Sequence, residues 1–343
     1  MALIPKTGLA VKLKSRPRGL PKAANFEVVG VPIPEPARDE ILVRNRFTRA
    51  AASLRMMISE GAERVEGVPF PALEPGDLLA EESIGEVVSA PPDSGFAPGD
   101  CVRHHLGWRE FAAVPVRACE LVLDGLPEVA AHLSHGWTAY AALTRGTTIC
   151  PGDTVFVTSA AGAIGSMAGQ IARLLGAGRV IGSTGSKEKA SRLERELGYD
   201  ATVLRAADPI SGQLAKAAPE GLDVVIDNVG GEQLQAAIEA AKEGARILIV
   251  GALSGQLARE GSGRTAPVQL DSFPILLKKL TIRGYSADDD PDARQEWTQR
   301  FAKWLEAGSI IFPHVLVKGL DTAPEVLERV AEGRYFGTVI VEL

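Results

Sequence analysis

The feature that most restricts the fold of this chain is a change of pattern near residue 136. Beyond it, Ala-rich stretches compatible with helices alternate with short apolar runs at Val155-Phe156-Val157, Val180-Ile181-Gly182, Val224-Val225-Ile226 and Ile247-Leu248-Ile249-Val250. Such alternation is the pattern of β-α units wound round a parallel sheet. Before residue 136 the chain is punctuated by Pro32, Pro34 and Pro36 and by the turn Ala97-Pro98-Gly99-Asp100. There Glu40-Ile41-Leu42-Val43-Arg44, Ser83-Ile84-Gly85-Glu86-Val87-Val88 and Glu110-Phe111-Ala112-Ala113-Val114 read as strands of a twisted, partly closed sheet. After about residue 312, Val315-Leu316-Val317 and Val339-Ile340-Val341 return to that style. With 343 residues, two cores are expected. The reading is an α/β chain in which a Rossmann-type, doubly wound parallel-sheet domain, residues 136–312, is inserted into a β-rich domain made of residues 1–135 and 313–343.

The strand ending at Val157 runs into Thr158-Ser159-Ala160-Ala161-Gly162-Ala163-Ile164-Gly165 and then into the helical Ser166-Met167-Ala168-Gly169-Gln170-Ile171-Ala172-Arg173. Small residues on a strand-to-helix junction let a pyrophosphate approach free amides and the positive end of the helix dipole. Gly162, Ala163, Ile164 and Gly165 are therefore the candidate dinucleotide cradle. Glycine also closes turns that bind nothing, and it is the β-α context that makes the assignment. At the end of the second strand a site preferring NAD usually presents an Asp or Glu to the ribose. Here the segment is Gly182-Ser183-Thr184-Gly185-Ser186-Lys187-Glu188-Lys189, whose hydroxyls and lysines suit a 2′-phosphate and hence NADP. Lysines opening a solvated surface helix are the plain alternative.

Composition excludes other classes. A net charge of −6 without an aromatic-interleaved basic stretch argues against nucleic acid as a partner, and no apolar run is long enough for a membrane span. The basic residues Lys6, Lys12, Lys14 and Arg16 flank only short apolar stretches, unlike a secretory signal, so a cytoplasmic protein is expected. Cys101, Cys119 and Cys150 are odd in number and widely spaced, forming neither a disulfide framework nor a Cys-x-x-Cys pair.

Taken with Asp227-Asn228-Val229-Gly230-Gly231, Val250-Gly251-Ala252-Leu253-Ser254, Ser15-Arg16-Pro17-Arg18-Gly19-Leu20-Pro21, Gly136-Trp137-Thr138-Ala139-Tyr140 and Phe336-Gly337-Thr338-Val339-Ile340-Val341, the chain resembles, over nearly its whole length, the prostaglandin reductase and alkenal double-bond reductase branch of the zinc-free medium-chain dehydrogenases/reductases. The resemblance implies a GroES-like catalytic domain built from both chain ends, and a homodimer. It implies NADPH delivering hydride to the β-carbon of an α,β-unsaturated ketone or aldehyde, with a proton added at the α-carbon. By the same resemblance Gly162 to Gly165 hold the pyrophosphate and Lys189 the 2′-phosphate, while Asn228 and the turn of Val250, Gly251, Ala252, Leu253 and Ser254 line the cofactor. Tyr285, Ser286 and Ala287 meet its nicotinamide end. Arg205 stands where the family often has a tyrosine near the adenosine phosphate, and Tyr335 where it often has an asparagine.

The chain departs from the family in its active site. The family's Asp-Pro-Tyr-Met-Arg is Ala51-Ala52-Ser53-Leu54-Arg55 here, and a tyrosine assigned to the enolate aligns near Leu277. Catalytic residues are therefore open; Tyr285, Ser53 and Arg55 are the candidates, and Tyr140 is a further tyrosine in a glycine-rich setting. Zinc alcohol dehydrogenases share the architecture, but the Ala51-Ala52-Ser53 region has no cysteine and Ala80-Glu81 stands for Gly-His-Glu, so no metal is expected. Adjacent strand histidines such as His104 and His105 point to opposite faces. No Gly-x-Ser-x-Gly elbow supports a hydrolase. The surviving readings are an NADPH-dependent ene-reductase, a quinone reductase, and a cofactor-binding protein with little catalysis.

Overall fold

A computed structural model describes residues 5–60, 72–122, 125–258 and 265–343. Six strands form one wholly parallel sheet: β8 (Thr154–Val157), β9 (Arg179–Thr184), β10 (Ala201–Leu204), β11 (Leu222–Asp227), β12 (Ala241–Ile249) and β13 (Thr281–Gly284), in the order β10-β9-β8-β11-β12-β13. This is the doubly wound order, with its reversal point between β8 and β11. Strands β8 and β11 are buried almost throughout, as their near-continuous Val, Ile and Phe content requires at the centre of a sheet covered on both faces. The strand runs read from the sequence lie within β8, β9, β11 and β12, the last ending at Ile249. Strand β10 had no counterpart in that reading, because Ala-Thr-Val-Leu is too short and too mixed to announce a strand.

Helices α3 (Gly165–Leu174), α4 (Lys187–Leu197), α5 (Ile210–Ala217), α6 (Gly231–Ala240) and α9 (Pro291–Glu306) cover this sheet. Small residues decide how closely α3 packs. A Cβ on Gly169 would stand 2.2 Å from the ring of Tyr199, and the Tyr199 hydroxyl donates to the Gly165 carbonyl at 2.7 Å.

The second sheet is the β-rich one. Its order is β14 (His314–Lys318), β15 (Thr338–Glu342), β3 (Glu40–Ala50), β4 (Ser83–Ser89), β5 (Cys101–His104) and β7 (Glu120–Leu121), with β6 (Phe111–Pro115) also paired to β3. Residues from both ends of the chain thus share one sheet, as the sequence suggests. The strands β1 (Thr7–Leu13) and β2 (Phe26–Pro32) form a separate antiparallel pair, packed with α1 (Leu54–Ile58) and α10 (Ala323–Ala331) in one apolar core.

A backbone bridge and an ionic cluster are among the contacts that join the layers. Gly162 and Gly337 form a parallel bridge, and the Gly337 amide donates to the Ala161 carbonyl at 2.9 Å. Gly337 has φ +80°, and a Cβ there would lie 2.0 Å from the Pro313 carbonyl oxygen, so only glycine fits. In the ionic cluster, buried Glu82 accepts from Arg49 at 2.6 Å and from Arg294 of α9, with Arg103 at 3.6 Å. Burial opposes its ionisation, but the three guanidinium groups win and hold the carboxyl at about 2, below the usual 4.5. Because folding lowers this pKa, the stabilisation is complete above about pH 4.5 and is lost as the pH falls towards 2. Glu82→Gln leaves buried cations uncompensated, and we expect it to cost about 3 kcal/mol and to flatten this acid limb. Urea unfolding of both proteins across that pH range measures the difference; equal curves would contradict the assignment.

Candidate active site

The turn after β8 is tighter than its sequence alone reveals. Ser159 adopts φ 53°, which is uncommon for a residue with a side chain. It is held by hydrogen bonds on both sides. The Ser159 amide donates to Ser183 Oγ at 3.0 Å, the Ala160 amide to the Ser183 carbonyl at 2.8 Å, and the Gly162 amide to the Ser159 carbonyl at 2.9 Å. A Cβ on Gly165 would stand 2.3 Å from that carbonyl oxygen and 2.6 Å from Ala160 Cα. Helix α3 therefore begins hard against the turn, the Ser166 amide donating to the Gly162 carbonyl at 2.9 Å and the Met167 and Ala168 amides to that of Ile164 at 3.1 and 2.9 Å.

Across the reversal point, the carboxyl end of β11 supplies the opposite wall. Buried Asp227 accepts from Thr158 Oγ1 at 2.8 Å, the Val229 amide at 3.1 Å and the Gly230 amide at 2.8 Å. Burial still raises its pKa against these bonds. Asn228 donates from its side chain to the Thr158 carbonyl at 2.9 Å and from its main chain to Thr158 Oγ1 at 2.7 Å. Its Oδ1 is buried and accepts no hydrogen bond among the described residues. A buried acceptor without a donor is costly, so this atom is suited to a ligand donor entering the crevice.

The strand β12 delivers the next part of the rim. Val250 and Gly251 donate to the Asp227 carbonyl at 2.8 and 3.2 Å, Leu253 donates to that of Asn228, and Ser254 to that of Val229. A Cβ on Gly251 would meet the Asn228 carbonyl oxygen at 2.9 Å. The short helix α7 (Leu253–Gln256) starts in this turn and includes Leu253 and Ser254, with Ala252 preceding it. Tyr285 follows β13, its amide donating to the Ile249 carbonyl at 3.0 Å, with Ser286 exposed and Ala287 buried beside it.

At the far end of β9, Ser186 caps α4 by accepting from the Lys189 amide. The Lys189 ammonium donates to the carbonyls of Gly333 at 2.6 Å and Tyr335 at 2.5 Å. Burial lowers its pKa, and the neighbouring positive charges of Arg205, Arg192 and Arg334 act in the same direction. A Cβ on Gly185 would lie 3.1 Å from an Arg205 nitrogen, so this glycine makes room for the guanidinium. Lys189, Arg205 and Tyr335 thus meet at one place, although they lie far apart in sequence.

The candidates for catalysis are placed differently. The Tyr285 hydroxyl donates to Asp290 Oδ2 at 2.7 Å, and burial followed by this bond raises its pKa, which makes it a poor acid. Tyr140 is similarly engaged with Glu296 at 3.0 Å. Ser53 is half-buried at the start of α1, and Arg55 is buried, its pKa lowered by burial. Leu277 lies on α8 (Ser272–Leu277), which precedes β13 and so lies at the amino end of that strand, away from the crevice. Sequence reasoning missed Met56 and Gln256, which meet across the two domains at 3.2 Å between Gln256 Nε2 and Met56 Sδ. No motif spans the 200 residues between them.

Metal-site candidates are otherwise occupied. Glu81 pairs with Arg49 at 3.0 Å. His104 is buried, receiving the Leu106 amide on Nδ1 at 3.0 Å, which leaves Nε2 to donate to Asn45 Oδ1 at 2.8 Å. Burial lowers its pKa to about 3, so it is a neutral structural histidine. Among the described residues there is no group of three or more His, Cys, Asp or Glu side chains placed to hold a metal ion.

Comparison with known proteins places this geometry. Residues 10–122 match the N-terminal domain of oxidoreductase family and residues 163–307 the zinc-binding dehydrogenase family. A putative NADP-dependent oxidoreductase, YfmJ of Bacillus subtilis, is 33% identical over 338 residues, covering 97% of each chain. Prostaglandin reductase 1 of Bos taurus is 30% identical over 341 residues, covering 96% of this chain and 97% of its own. The chain belongs to the medium-chain dehydrogenase/reductase family, in the prostaglandin and alkenal reductase branch. The crystal structure of CurA from Vibrio vulnificus in complex with NADPH has a TM-score of 0.85 at 28% identity, covering 97% of this chain and 98% of that one.

The tight turn supplies a test for this family member. Gly165→Ala must displace α3 or the turn, an overpacking cost of about 1–3 kcal/mol. We expect a lower melting temperature together with at least ~10-fold weaker dinucleotide binding, since the same atoms set the cradle. Unchanged affinity by fluorescence titration would show that the turn does not contact the ligand.

Proposed function

We propose that the chain is an NADPH-dependent ene-reductase that reduces the carbon–carbon double bond of α,β-unsaturated ketones or aldehydes, and that it works in the cytoplasm as a homodimer. The observation that carries this reading is the crevice at the reversal point of the parallel sheet. It combines a phosphate cradle, an orphaned acceptor and a basic end, within a chain that aligns along its length with reductases. The division into residues 136–312 for the cofactor and residues 1–135 with 313–343 for the substrate follows the two sheets.

The residues fit the cofactor. Gly162, Ala163, Ile164 and Gly165 receive the pyrophosphate, and Lys189 with Arg205 receives the 2′-phosphate, with Tyr335 beside them. Asn228 Oδ1 accepts from a polar group of the cofactor, while Val250, Gly251, Ala252, Leu253, Ser254, Tyr285, Ser286 and Ala287 line its remaining length. When bound, the cofactor supplies a hydride to the β-carbon of the substrate. The chain's part is to hold the acceptor in near-attack geometry. Ser53 and Arg55 lie on the segment that walls the substrate side. Proton delivery to the α-carbon falls to solvent, since the hydroxyls of Tyr285 and Tyr140 are committed to carboxylates.

For the homodimer, the support is the outer edge of β13. No described strand pairs there, and the adjoining α8 exposes Phe273, Leu276 and Leu277 at 63%, 71% and 60%. An unpaired edge beside bare apolar side chains suits a second copy of the same surface about a twofold axis. Leu276→Asp is expected to shift the protein from dimer to monomer in sedimentation; a wild-type monomer would refute the assembly.

The test of the activity is NADPH absorbance loss against enals, enones and quinones, with product mass determined. Saturated carbonyl products support ene reduction; turnover confined to quinones would favour quinone reduction, and tight NADPH binding without turnover would leave a cofactor-binding protein. Arg205→Ala should weaken NADPH binding by roughly 10-fold or more while leaving NADH binding unchanged, the loss typical of a charge-assisted hydrogen bond. Equal losses for both cofactors would place Arg205 outside the phosphate site.

A further inference from the structure

The contact between Gln256 and Met56 is a side-chain hydrogen bond that links α7 of the cofactor domain to α1 of the β-rich domain. Both side chains are half-buried. A thioether is a weak acceptor, so the Gln256 amide is a strong donor resting on a poor partner. That is the state of a group that can exchange its partner for a better one at little cost.

Its mounting is rigid. The turn that carries it is fixed by donation from Leu253 and Ser254 to the carbonyls of Asn228 and Val229. The Gly255 and Gln256 amides both donate to the Ala252 carbonyl at 3.0 Å, and a Cβ on Gly255 would lie 2.1 Å from the Thr265 carbonyl oxygen. Gln256 therefore stands one helical turn from the crevice rim, held by the residues that shape it, and faces the opposite domain. Three of the four tyrosines have hydroxyls committed within the protein: Tyr140 to Glu296, Tyr199 to the Gly165 carbonyl and Tyr285 to Asp290. The fourth, Tyr335, lies at the basic end near Lys189.

We infer that the Gln256 side-chain amide is the donor that receives the substrate's carbonyl oxygen, leaving Met56 as an apolar wall against the unsaturated chain. This rests on the ene-reductase reading above. As hydride arrives at the β-carbon, the π electrons of the double bond move to the new α-carbon to carbonyl-carbon bond and the carbonyl oxygen gains the negative charge of an enolate. An N–H donor fixed beforehand stabilises that charge more than the neutral carbonyl. An amide cannot give up its proton at neutral pH, so the proton that completes the reaction comes from water to the α-carbon, restoring the carbonyl. Gln256 is thus a carbonyl-binding residue and not an acid, and it favours substrates whose double bond is conjugated to a carbonyl.

The test uses the full chain, cinnamaldehyde and the near-isosteric Gln256→Leu. Expected is a fall in kcat of ~10²-fold, the usual loss for one oxyanion donor, with NADPH affinity unchanged. A second reading needs no turnover: the cinnamaldehyde absorption band should shift to the red in the NADP⁺ complex of the wild type and shift less with Gln256→Leu. In Gln256→Glu, activity should rise as the pH falls and the carboxyl becomes a donor, a limb absent from the wild type. A leucine variant with wild-type kcat and an undiminished red shift would overturn the inference. If the wild type binds NADPH but reduces no enal or enone, the ene-reductase reading fails, and the red shift alone then decides whether Gln256 binds a carbonyl.

Discussion

The carboxylate of Asp227 is the interaction on which the site depends. It is buried, and burial by itself would drive it towards its neutral form. Donors from Thr158, Val229 and Gly230 meet it, and through Thr158 it ties the end of β11 to the end of β8 at the reversal point of the sheet. Asn228 is held on the same threonine, and the turn after β12 hangs from the carbonyls of Asp227 and Asn228. Three loops from three strands are thereby fixed relative to one another. A cofactor crevice needs this, because a preorganised site does not spend binding energy on ordering itself.

The ionic centre at Glu82 does for the two domains what Asp227 does for the crevice. Arg49 and Arg103 come from the β-rich sheet and Arg294 from α9, so one carboxylate binds both layers. Buried ion pairs add little net stability compared with apolar packing, yet they fix geometry, since a shifted partner leaves a bare charge. Glu81, at the position where zinc alcohol dehydrogenases carry Gly-His-Glu, is likewise paired with Arg49, at 3.0 Å.

Much of this was legible in the chain. The central strands announce themselves because a strand buried on both faces must be continuously apolar. The glycine at 165 marks the turn because a Cβ there would strike the backbone of Ser159 and Ala160. Lys189 was suggested by the hydroxyls and lysines after the second strand, and Arg205 only by the family resemblance. What was not legible was how side chains were spent. Tyr285 looked available as an acid, but Asp290 five residues on takes its hydroxyl. Leu277 looked like a catalytic position by alignment, but it lies at the wrong end of β13, where it is exposed.

The sequence by itself determined the fold class and the family, because these follow from local periodicity and from short motifs in which neighbours in sequence are neighbours in space. The tertiary structure alone decided which polar groups remain free to meet a ligand. Hydrogen-bond partners such as Gln256 and Met56, Lys189 and Tyr335, or Glu82 and Arg294 are 200, 146 and 212 residues apart. No local pattern encodes such pairings, since they arise only when two separately folded sheets are brought together.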